Sequence, residues 1–381
     1  MAHSTTIEPV RSARDISEFV RLPFDLYRGD PLWIPQLVSH EKAQFDPRRN
    51  PAYETARAQL FRAVRDGRTV GRVAAIVSDA YVGKWDRRCG RFGWFECERD
   101  PATARLLVSA AEEWVASQGM TEISGPLGFT DNDPTGVLVE GFEELPTIAG
   151  SYNPPWYRDF LEGLGYAKEV DYVEYRITVP SELPERMLKL AEQISRRTGI
   201  RVFSEKSRKN LAGRWGRQIF EVLNLSYSEL YGTTLLSDAQ IGFYIESYLG
   251  QVDPSFIKLA VDGEKLVGFI IAMPNLSRAF QKARGRLLPF GFVHILRALK
   301  KSDVLDFYLA GILPDYRNKG IDAMLTMDMG RTALGRGMKF AESNHELEDN
   351  TLIQSMWKLY ERRLHRRSRV FNRKLGVRLP L

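Results

Sequence analysis

Cysteine and histidine are scarce in this sequence of 381 residues, which contains two cysteines, Cys89 and Cys97, and five scattered histidines. The two cysteines form no Cys-x-x-Cys pair, and the histidines do not stand at the spacing of metal ligands. A disulfide scaffold and a zinc site are therefore not expected, and the composition favours a reducing, cytoplasmic setting without a metal cofactor.

Long apolar runs are also missing. No stretch of roughly 18 apolar residues occurs, so the sequence predicts no membrane-spanning helix. The N-terminus from Met1 to Thr6 lacks the basic and apolar regions of a signal peptide. Apolar residues make up 44% and charged residues 27% of the chain, as in ordinary globular proteins. The length favours two domains over one.

Positive charge is concentrated near the C-terminus. The formal net charge is +6, and the segment from Arg362 to Arg378 has eight Lys or Arg and no acid. Such a segment predicts a solvated, charged terminus, and the alternative is contact with an anionic partner such as a nucleotide phosphate or a lipid surface. We expect no DNA partner.

Two similar hairpins indicate a duplicated fold. Residues 60–77 and residues 257–273 each consist of a β-rich run, an Asp-Gly turn and a second β-rich run with an early glycine. The turns are Asp66-Gly67 and Asp262-Gly263, and Asp-Gly supplies the positive φ angles that a tight hairpin requires. One such hairpin in each half predicts two related domains.

The flanking segments repeat as well, because helical segments precede each hairpin and a strand, a helix and a short strand follow it. We predict an α/β protein of two tandem domains, residues 1–180 and 181–381, each with a mixed, mainly antiparallel sheet flanked by helices. The segments that follow the hairpins are the strands 91–97 and 304–312, the helices 101–117 and 321–336, and the short strands 121–124 and 339–343.

The stretch from Leu305 to Leu325 contains the clearest chemical signal. A strand is followed by a turn with a proline, a basic loop with Gly320, and an amphipathic helix. Backbone N–H groups at the start of a helix bind phosphate oxygens, and Gly320 allows close approach. Arg317 and Lys319 add positive charge. The pattern predicts an anion site, and the alternative is a plain connector between strand and helix.

Residues 314–321, Pro-x-Tyr-Arg-x-Lys-Gly-Ile, resemble the pyrophosphate loop of the GNAT superfamily, the Gcn5-related N-acetyltransferases, whose pattern is Arg/Gln-x-x-Gly-x-Gly/Ala. The resemblance implies acyl-CoA or acetyl-CoA as co-substrate and no metal. Asp322 departs from the pattern, since the family prefers Gly or Ala there. The residues that the resemblance implies for coenzyme A are Ala310, Gly311, Ile312, Arg317, Asn318, Lys319, Gly320, Ile321, Asp322 and Ala323.

The first half lacks this loop. Its corresponding turn carries Glu96, Glu98 and Asp100 and no glycine, and such a turn would repel phosphate. We therefore predict that residues 1–180 form a degenerate copy without a phosphate loop. The segment 160–166 resembles the end of a GNAT domain, which supports the fold without implying catalysis.

The layout of nearly the whole chain resembles a group of bacterial two-domain proteins labelled as N-acetyltransferases. The likeness includes Asp30-Pro-Leu-Trp-Ile-Pro35, residues 152–157 (Tyr-Asn-Pro-Pro-Trp-Tyr) and residues 347–350 (Leu-Glu-Asp-Asn). It implies an acyl-CoA-dependent N-acyltransferase that acts on a primary amine. The group includes proteins similar to bacterial ceramide synthases, which implies, more narrowly, a fatty acyl donor and a long-chain, sphingoid-like amine.

One segment fits an amphiphilic acceptor. Residues 287–301 are apolar and helix-like with a basic edge, and Arg278, Lys282, Arg284 and Arg286 precede them. Packing of this segment on the sheet is one interpretation, and an interfacial or acyl-chain-binding element is the other. The second interpretation predicts a cytoplasmic protein that contacts the inner face of the membrane peripherally.

Amide formation from a thioester requires a neutral amine, a polarised carbonyl and a protonated leaving group. GNAT proteins often use a tyrosine seven residues after an asparagine as the acid; counting from Asn350 gives Trp357, so Tyr360 is the substitute. Glu346 and Glu348 are further carboxylates near the expected cleft. The candidate catalytic residues are Asp306, Glu342, His345 and Tyr360, and the candidate substrate-binding residues are Tyr308, Asn132, Tyr152, Asn153 and Tyr157.

Two other functions remain open. Aminoacyl transferases that use charged tRNA and a cell-wall precursor also contain tandem domains of this fold, and the basic C-terminal segment would suit tRNA. A non-catalytic protein that binds acyl-CoA or a partner is the second alternative, because Asp322 departs from the loop pattern and Trp357 replaces the helix tyrosine.

Overall fold

The computed structural model describes residues 4–130, 133–249 and 252–376. The strands are β1 Thr6–Pro9, β2 Ala56–Arg65, β3 Arg68–Ser78, β4 Cys89–Cys97, β5 Glu122–Gly125, β6 Val137–Glu140, β7 Ala167–Thr178, β8 Arg201–Phe203, β9 Ile257–Asp262, β10 Lys265–Pro274, β11 Val304–Ile312, β12 Phe340–Glu342, β13 Glu346–Leu347 and β14 Arg362–Lys374. The helices are α1 Ala13–Leu26, α2 Val38–Gln44, α3 Asp79–Trp85, α4 Pro101–Ser117, α5 Trp156–Gly163, α6 Glu185–Thr198, α7 Arg208–Asn210, α8 Gly216–Ser226, α9 Asp238–Tyr244, α10 Ser277–Ala283, α11 Gly291–Lys301, α12 Ile321–Gly335 and α13 Thr351–Met356.

The chain divides into two compact units, and both are discontinuous in sequence. Unit 1 comprises Met1–Val173, Ser277–Ile295 and His365–Leu381, and unit 2 comprises Glu174–Leu276 and Leu296–Leu364. These units differ from the predicted ranges 1–180 and 181–381, because two segments from the second half of the chain complete unit 1. Pairings between residues far apart in sequence cause the difference, and a local pattern does not reveal them.

In unit 1, the predicted hairpin forms from β2 and β3. Its turn has Asp66 at φ 51° and Gly67 at φ 73°, the positive values that the Asp-Gly pair supplies. Strands β1 to β4 are neighbours in sequence order and antiparallel, and β4 pairs with β5 in parallel. Asp100 caps helix α4, and the buried face of this helix, with Leu107, Val108 and Ala111, packs into the core of unit 1.

In unit 2, β8, β9, β10 and β11 are antiparallel neighbours, whereas β11 pairs with β12 in parallel. Strand β12 then pairs antiparallel with the residues of β7 that belong to unit 2. The second Asp-Gly hairpin is confirmed as β9 and β10. Helix α12 buries Ile321, Met324 and Leu325 in the apolar core of this unit, directly after the predicted loop.

Within the described residues 362–376, the basic C-terminal segment is not a solvated terminus, so this prediction was wrong for them, and Arg378 lies outside the described residues. Residues Arg362–Lys374 form β14, which pairs with β5 and β6. Arg366 has 0% exposure and donates to the carbonyl oxygens of Ser151 and Glu144. Arg369 forms an ion pair with Asp171 at 2.8 Å. A buried guanidinium needs such partners, and they lie too far along the chain to be inferred from a run of positive charge.

Candidate functional site

Strand β11 leaves its parallel neighbour after three residue pairs. The pairs run from Val304 and Phe340 to Asp306 and Glu342, and beyond them β11 pairs with β10 alone among the described strands. A bulge adds to the divergence, because the register against β10 skips Tyr308. The sheet of unit 2 therefore opens beside the C-terminal half of β11, where the predicted Ala310, Gly311 and Ile312 lie.

The predicted phosphate loop lies at the end of this opening and leads into α12. Gly320 occupies the N-cap position at φ 80°, and this cap makes no side-chain hydrogen bond. A Cβ at this position would overlap the end of the Ile194 side chain of α6 unless that side chain shifted, and the positive φ favours glycine. The first-turn amides of residues 321–323 thus have no capping side chain and are suited to bind an anion.

The basic side chains of the loop have further partners in unit 2. Arg317 donates to the carbonyl oxygen of Ser226 at 2.9 Å, at the C-terminus of α8, where a positive charge is favourable. The Lys319 ammonium lies 4.6 Å from the centre of the Tyr316 ring. The Tyr316 hydroxyl donates to Asp262 at 2.8 Å and so holds the loop on the β9–β10 turn. Arg317 therefore also fixes the loop, in addition to its predicted role towards phosphate.

The corresponding helix start in unit 1 is closed by a side chain of its own. Asp100 caps α4 and accepts from the backbone N–H of Ala102 at 3.0 Å. Arg65 binds this carboxylate at 2.6 Å and also contacts Glu98. A carboxylate thus stands where unit 2 has Gly320, and the degenerate first copy stays a prediction.

Buried carboxylates lie where β11 and β12 are still paired. Asp306 has 1% exposure and faces Glu342 on the adjacent strand. The Asn275 amide donates to both Asp306 oxygens at 2.9 and 3.0 Å. Burial raises the pKa of Asp306 to about 8, and the charges of Glu342 and Glu174 add to this rise. Asp306 is therefore a carboxyl group that exchanges a proton near neutral pH.

The predicted Glu342 and His345 belong to the same cluster. Arg176 forms an ion pair with Glu342 at 2.8 Å, and His345 Nε2 lies 3.1 Å from the buried carboxylate of Glu174. Because the charge of Glu174 also raises the pKa of Asp306, these groups form one electrostatic network. Sequence analysis missed Glu174 and Arg176, which lie on β7, more than 160 residues from their partners along the chain.

Trp357 occupies the position where the resemblance suggested a tyrosine. It is buried, and its indole N–H donates to Glu346 at 2.6 Å. Its ring lies 4.9 Å from that of Phe307 on β11. Burial raises the pKa of Glu346 to about 7, although the bond from Trp357 opposes the rise. From the sequence, Glu346 is one of several candidate carboxylates, and the hydrogen bond that distinguishes it is visible only in the fold.

Tyr360 and Tyr308, the two candidate tyrosines of unit 2, have different surroundings. The Tyr308 hydroxyl donates to Asp306 at 3.3 Å, and burial raises its pKa well above its usual value. Tyr360 follows α13 and packs partly buried against the core of unit 2, and burial raises its pKa as well. A raised pKa keeps a phenol protonated, as a proton donor must be.

The predicted substrate-binding residues of unit 1 have structural partners there. The Tyr157 hydroxyl is buried, accepts from the Cys97 N–H at 2.9 Å and donates to the Cys97 carbonyl oxygen at 3.2 Å. Asn153 is also buried and accepts from the Leu138 N–H at 2.7 Å. These bonds account for both polar side chains within unit 1, and their role towards a substrate stays a prediction. Asn132 lies outside the described residues.

Tyr152 is the more accessible of these candidates. Its hydroxyl donates to Asp30 at 2.5 Å, and its ring lies 5.7 Å from that of Tyr27. Asp30 opens the motif Asp30–Pro35 noted in the sequence, so Tyr152 holds this motif against the rest of unit 1. A binding role for Tyr152 likewise stays a prediction.

The described residues contain no group of three or more His, Cys, Asp or Glu that could hold a metal ion. No helix in this part of the chain is long and apolar enough to cross a membrane.

The architecture has the fold of a solved tandem GNAT protein. A solved tandem GNAT protein from the clavulanic acid biosynthesis pathway matches with a TM-score of 0.56 over 98% of this chain and 100% of its own, at 12% identity. The predicted fold class is thereby confirmed.

Two curated proteins are similar along nearly the whole length. The chain is 28% identical to the bacterial ceramide synthase of Caulobacter vibrioides over 347 residues, or 90% of this chain and 89% of that protein. It is 27% identical to protein YghO of Escherichia coli, over 95% and 93% of the two chains. No protein-family model matches.

Proposed function

We propose that the protein is an acyl-CoA-dependent N-acyltransferase that transfers an acyl group to a primary amine. The observation that carries the proposal is the opening beside β11, which has the uncapped start of α12 at one end and the buried Asp306 cluster at the other. One strand would thus connect the proposed anion site to a carboxyl group whose pKa is raised to about 8.

The residues divide the reaction between them. The amides of residues 321–323 and Lys319 would hold the pyrophosphate of coenzyme A, and the backbone of residues 310–312 would pair with the pantetheine arm. Asp306 in its ionised form would take a proton from the ammonium of the acceptor. The neutral amine then attacks the thioester carbonyl carbon, and its nitrogen releases a second proton to solvent. The carbon–sulfur bond breaks, and the leaving sulfur receives a proton, for which Tyr360 and Glu346 are the candidate donors.

The narrower proposal concerns chain length and acceptor. We infer a fatty acyl donor and a long-chain amine that the protein reaches at a membrane surface. Similarity to a protein named as a ceramide synthase supports this inference. The exposed apolar side chains of residues 287–293 also support it.

Two measurements test the proposal. Mass spectrometry of ligands retained by the purified protein should detect an acyl-CoA. Thiol release should then be followed with acetyl-, octanoyl- and palmitoyl-CoA, each supplied with a long-chain amino alcohol and with a polyamine. Turnover with palmitoyl-CoA and the amino alcohol is expected, because a long tail gains about 0.8 kcal/mol for each buried CH₂. Turnover confined to acetyl-CoA and the polyamine would contradict the proposal of lipid substrates. No turnover with any pair would contradict the proposal that the protein is an enzyme.

A non-catalytic acyl-CoA-binding protein is the second candidate, and the replacement of the expected tyrosine by Trp357 favours it. Retained acyl-CoA without thiol release would identify this case. The third candidate, a tRNA-dependent aminoacyl transferase, loses much of its support from the sequence, because residues 362–374 of the basic segment form β14 and Arg366 is buried.

A further inference from the structure

Unit 1 exposes a compact group of large apolar side chains that the proposed chemistry does not use. Leu288 is 75% and Phe290 72% exposed, and Leu287, Phe292 and Val293 are exposed as well. Among the described residues of unit 1, Leu106 is the one other exposed large hydrophobic residue. Five such side chains within seven positions are unusual for a water-facing surface. We call residues 287–293 the apolar tip.

The apolar tip is held by a turn with a defined backbone. Arg284 and Gly285 both have positive φ, at 49° and 73°. The Gly285 carbonyl accepts from the Val38 N–H at 3.0 Å, and a Cβ on Gly285 would overlap Phe24. Glycine is therefore required where the turn packs on the first helices of unit 1, and this packing fixes the direction in which the tip leaves the protein.

Helix α10 anchors the tip to the motif Asp30–Pro35. The Gln281 amide donates to the carbonyl oxygens of Pro31 at 2.7 Å and Trp33 at 3.1 Å. Ser277 donates to the Pro146 carbonyl oxygen at 2.7 Å. The motif Asp30–Pro35 has no role in the proposed catalysis. These hydrogen bonds indicate that it supports α10 and thereby the apolar tip.

The surroundings of the tip are basic. Arg278, Lys282, Arg284 and Arg286 precede it, and no Asp or Glu occurs between Pro274 and Ser302. Three of these side chains, those of Arg278, Lys282 and Arg284, line one open depression together with Gln281 and His294. We call Arg278, Lys282, Arg284 and Arg286 together the basic collar. An apolar tip with a basic collar is complementary to a layer of anionic headgroups above acyl chains.

We propose that the apolar tip and the basic collar dock unit 1 on a bilayer that contains anionic phospholipids. Leu288 and Phe290 insert at the boundary between headgroups and acyl chains, and the collar binds lipid phosphates. A bilayer fits better than a protein partner, because insertion accepts apolar side chains of any shape and the collar has no acidic residue to select a partner. This inference deepens the proposed function, since docking would bring the protein to an amphiphilic amine.

The test is co-sedimentation of the full chain with phosphatidylcholine vesicles that contain or lack phosphatidylglycerol. We expect binding to the anionic vesicles, weaker binding to the neutral ones, and loss on adding salt. Leu288→Ser with Phe290→Ser should lower partitioning at least tenfold, and Lys282→Gln with Arg286→Gln should remove the preference for phosphatidylglycerol. Leu190→Ser with Leu235→Ser, two exposed leucines of unit 2, is the matched control and should bind like the parent.

Thermal unfolding of each variant should match the parent, because the replaced apolar side chains face water. A parent chain that ignores anionic vesicles, or a tip variant that binds them unchanged, would overturn the docking surface. Self-association that the tip variant abolishes, without vesicle binding by the parent, would assign the tip to a second copy and overturn it as well. Because vesicle binding requires neither coenzyme A nor turnover, failure of the docking and failure of the proposed function are distinguishable.

Discussion

The indole N–H of Trp357 donates to Glu346 over 2.6 Å, inside unit 2 and beside the opening of its sheet. Trp357 also contacts Phe307, the first residue of β11 beyond the pairs with β12. A tryptophan has no proton of suitable acidity to give to a leaving thiolate, but it holds a carboxyl group whose pKa is about 7. The replacement of the expected tyrosine therefore leaves a carboxyl group at this place in the fold, and we propose it as a proton donor.

The first prediction concerns this hydrogen bond. Trp357→Phe keeps an aromatic ring and removes the N–H that lowers the pKa of Glu346. The pKa should therefore rise above about 7, and a limb of the pH profile of kcat/KM that depends on Glu346 should move to higher pH. Trp215→Phe is the control, because Trp215 is buried in the same unit and its Nε1 has no hydrogen-bond partner in the described part of the chain. Profiles that coincide for the parent and Trp357→Phe would exclude Glu346 from the reaction.

The second prediction concerns Asp306. A general base acts in its ionised form, so kcat/KM should rise with pH up to about 8 in the parent. Asp306→Asn should lower kcat by a factor of about 10² to 10⁴ and remove this ionisation. Asp303→Asn, which changes an exposed carboxyl just before the same strand, should leave the profile unchanged. If Asp306→Asn had the kcat and the pH profile of the parent, Asp306 would be ruled out as the general base.

Asp306 also predicts how stability depends on pH. Its folded pKa of about 8 lies above the unfolded value of 3.8, so the folded state holds the proton between these values. Stability from this group is full below pH 3.8 and is lost as the pH rises through about 8. Asp306→Asn should therefore gain stability relative to the parent between about pH 4 and pH 8, as measured by denaturant unfolding. If the free energies of unfolding of the variant and the parent differed by the same amount at about pH 4 and about pH 8, the raised pKa of Asp306 would be contradicted.

Local signals made much of the fold predictable. The Asp-Gly turns identified both hairpins, and the sequence of Val304–Ile312 identified β11 with the observed bounds. The loop before α12 was recognisable because proline, a basic run and Gly320 follow each other within seven residues. In each case, the residues that determine the structure are close together along the chain.

Long-range contacts account for what the sequence could not reveal. Phe371 pairs with Gly125 across 246 positions (371 − 125), so the strand nature of the basic C-terminal segment depends on a distant edge of unit 1. Glu174 and His345 form a pair although neither lies near the other in sequence. The sequence identifies Asp306 as a candidate carboxylate, but the charges that add to the rise of its pKa come from β7 and β12.

The third prediction concerns Gly320. An L side chain at φ 80° costs about 1–2 kcal/mol, and overlap with Ile194 adds to this cost, so Gly320→Ala should destabilise the protein. Gly335→Ala, at the other end of α12, has open space and should be neutral or stabilising by up to about 1 kcal/mol.

Arg317→Ala combined with Gly320→Glu should weaken coenzyme A binding at least tenfold, because it removes a cation and adds like charge. If calorimetry gave the double variant an unchanged affinity for coenzyme A, the loop would be excluded as the binding site of the pyrophosphate.

The fourth prediction is that one chain binds one coenzyme A, through unit 2 alone. In unit 1 the start of α4 already carries the carboxylate of Asp100, which Arg65 holds, so the amides that would receive a phosphate are capped and the approach is acidic. Calorimetric titration should therefore give one equivalent. Asp100→Ala should cost about 0.5–2 kcal/mol of stability, because the helix cap is lost, but its affinity for coenzyme A should be unchanged. The double variant of Arg317 and Gly320 should keep the stoichiometry of one and lose affinity. A second equivalent that disappears on changing Asp100 or Glu98 would show that unit 1 has a working site, and would refute the view that its own carboxylate replaces the phosphate.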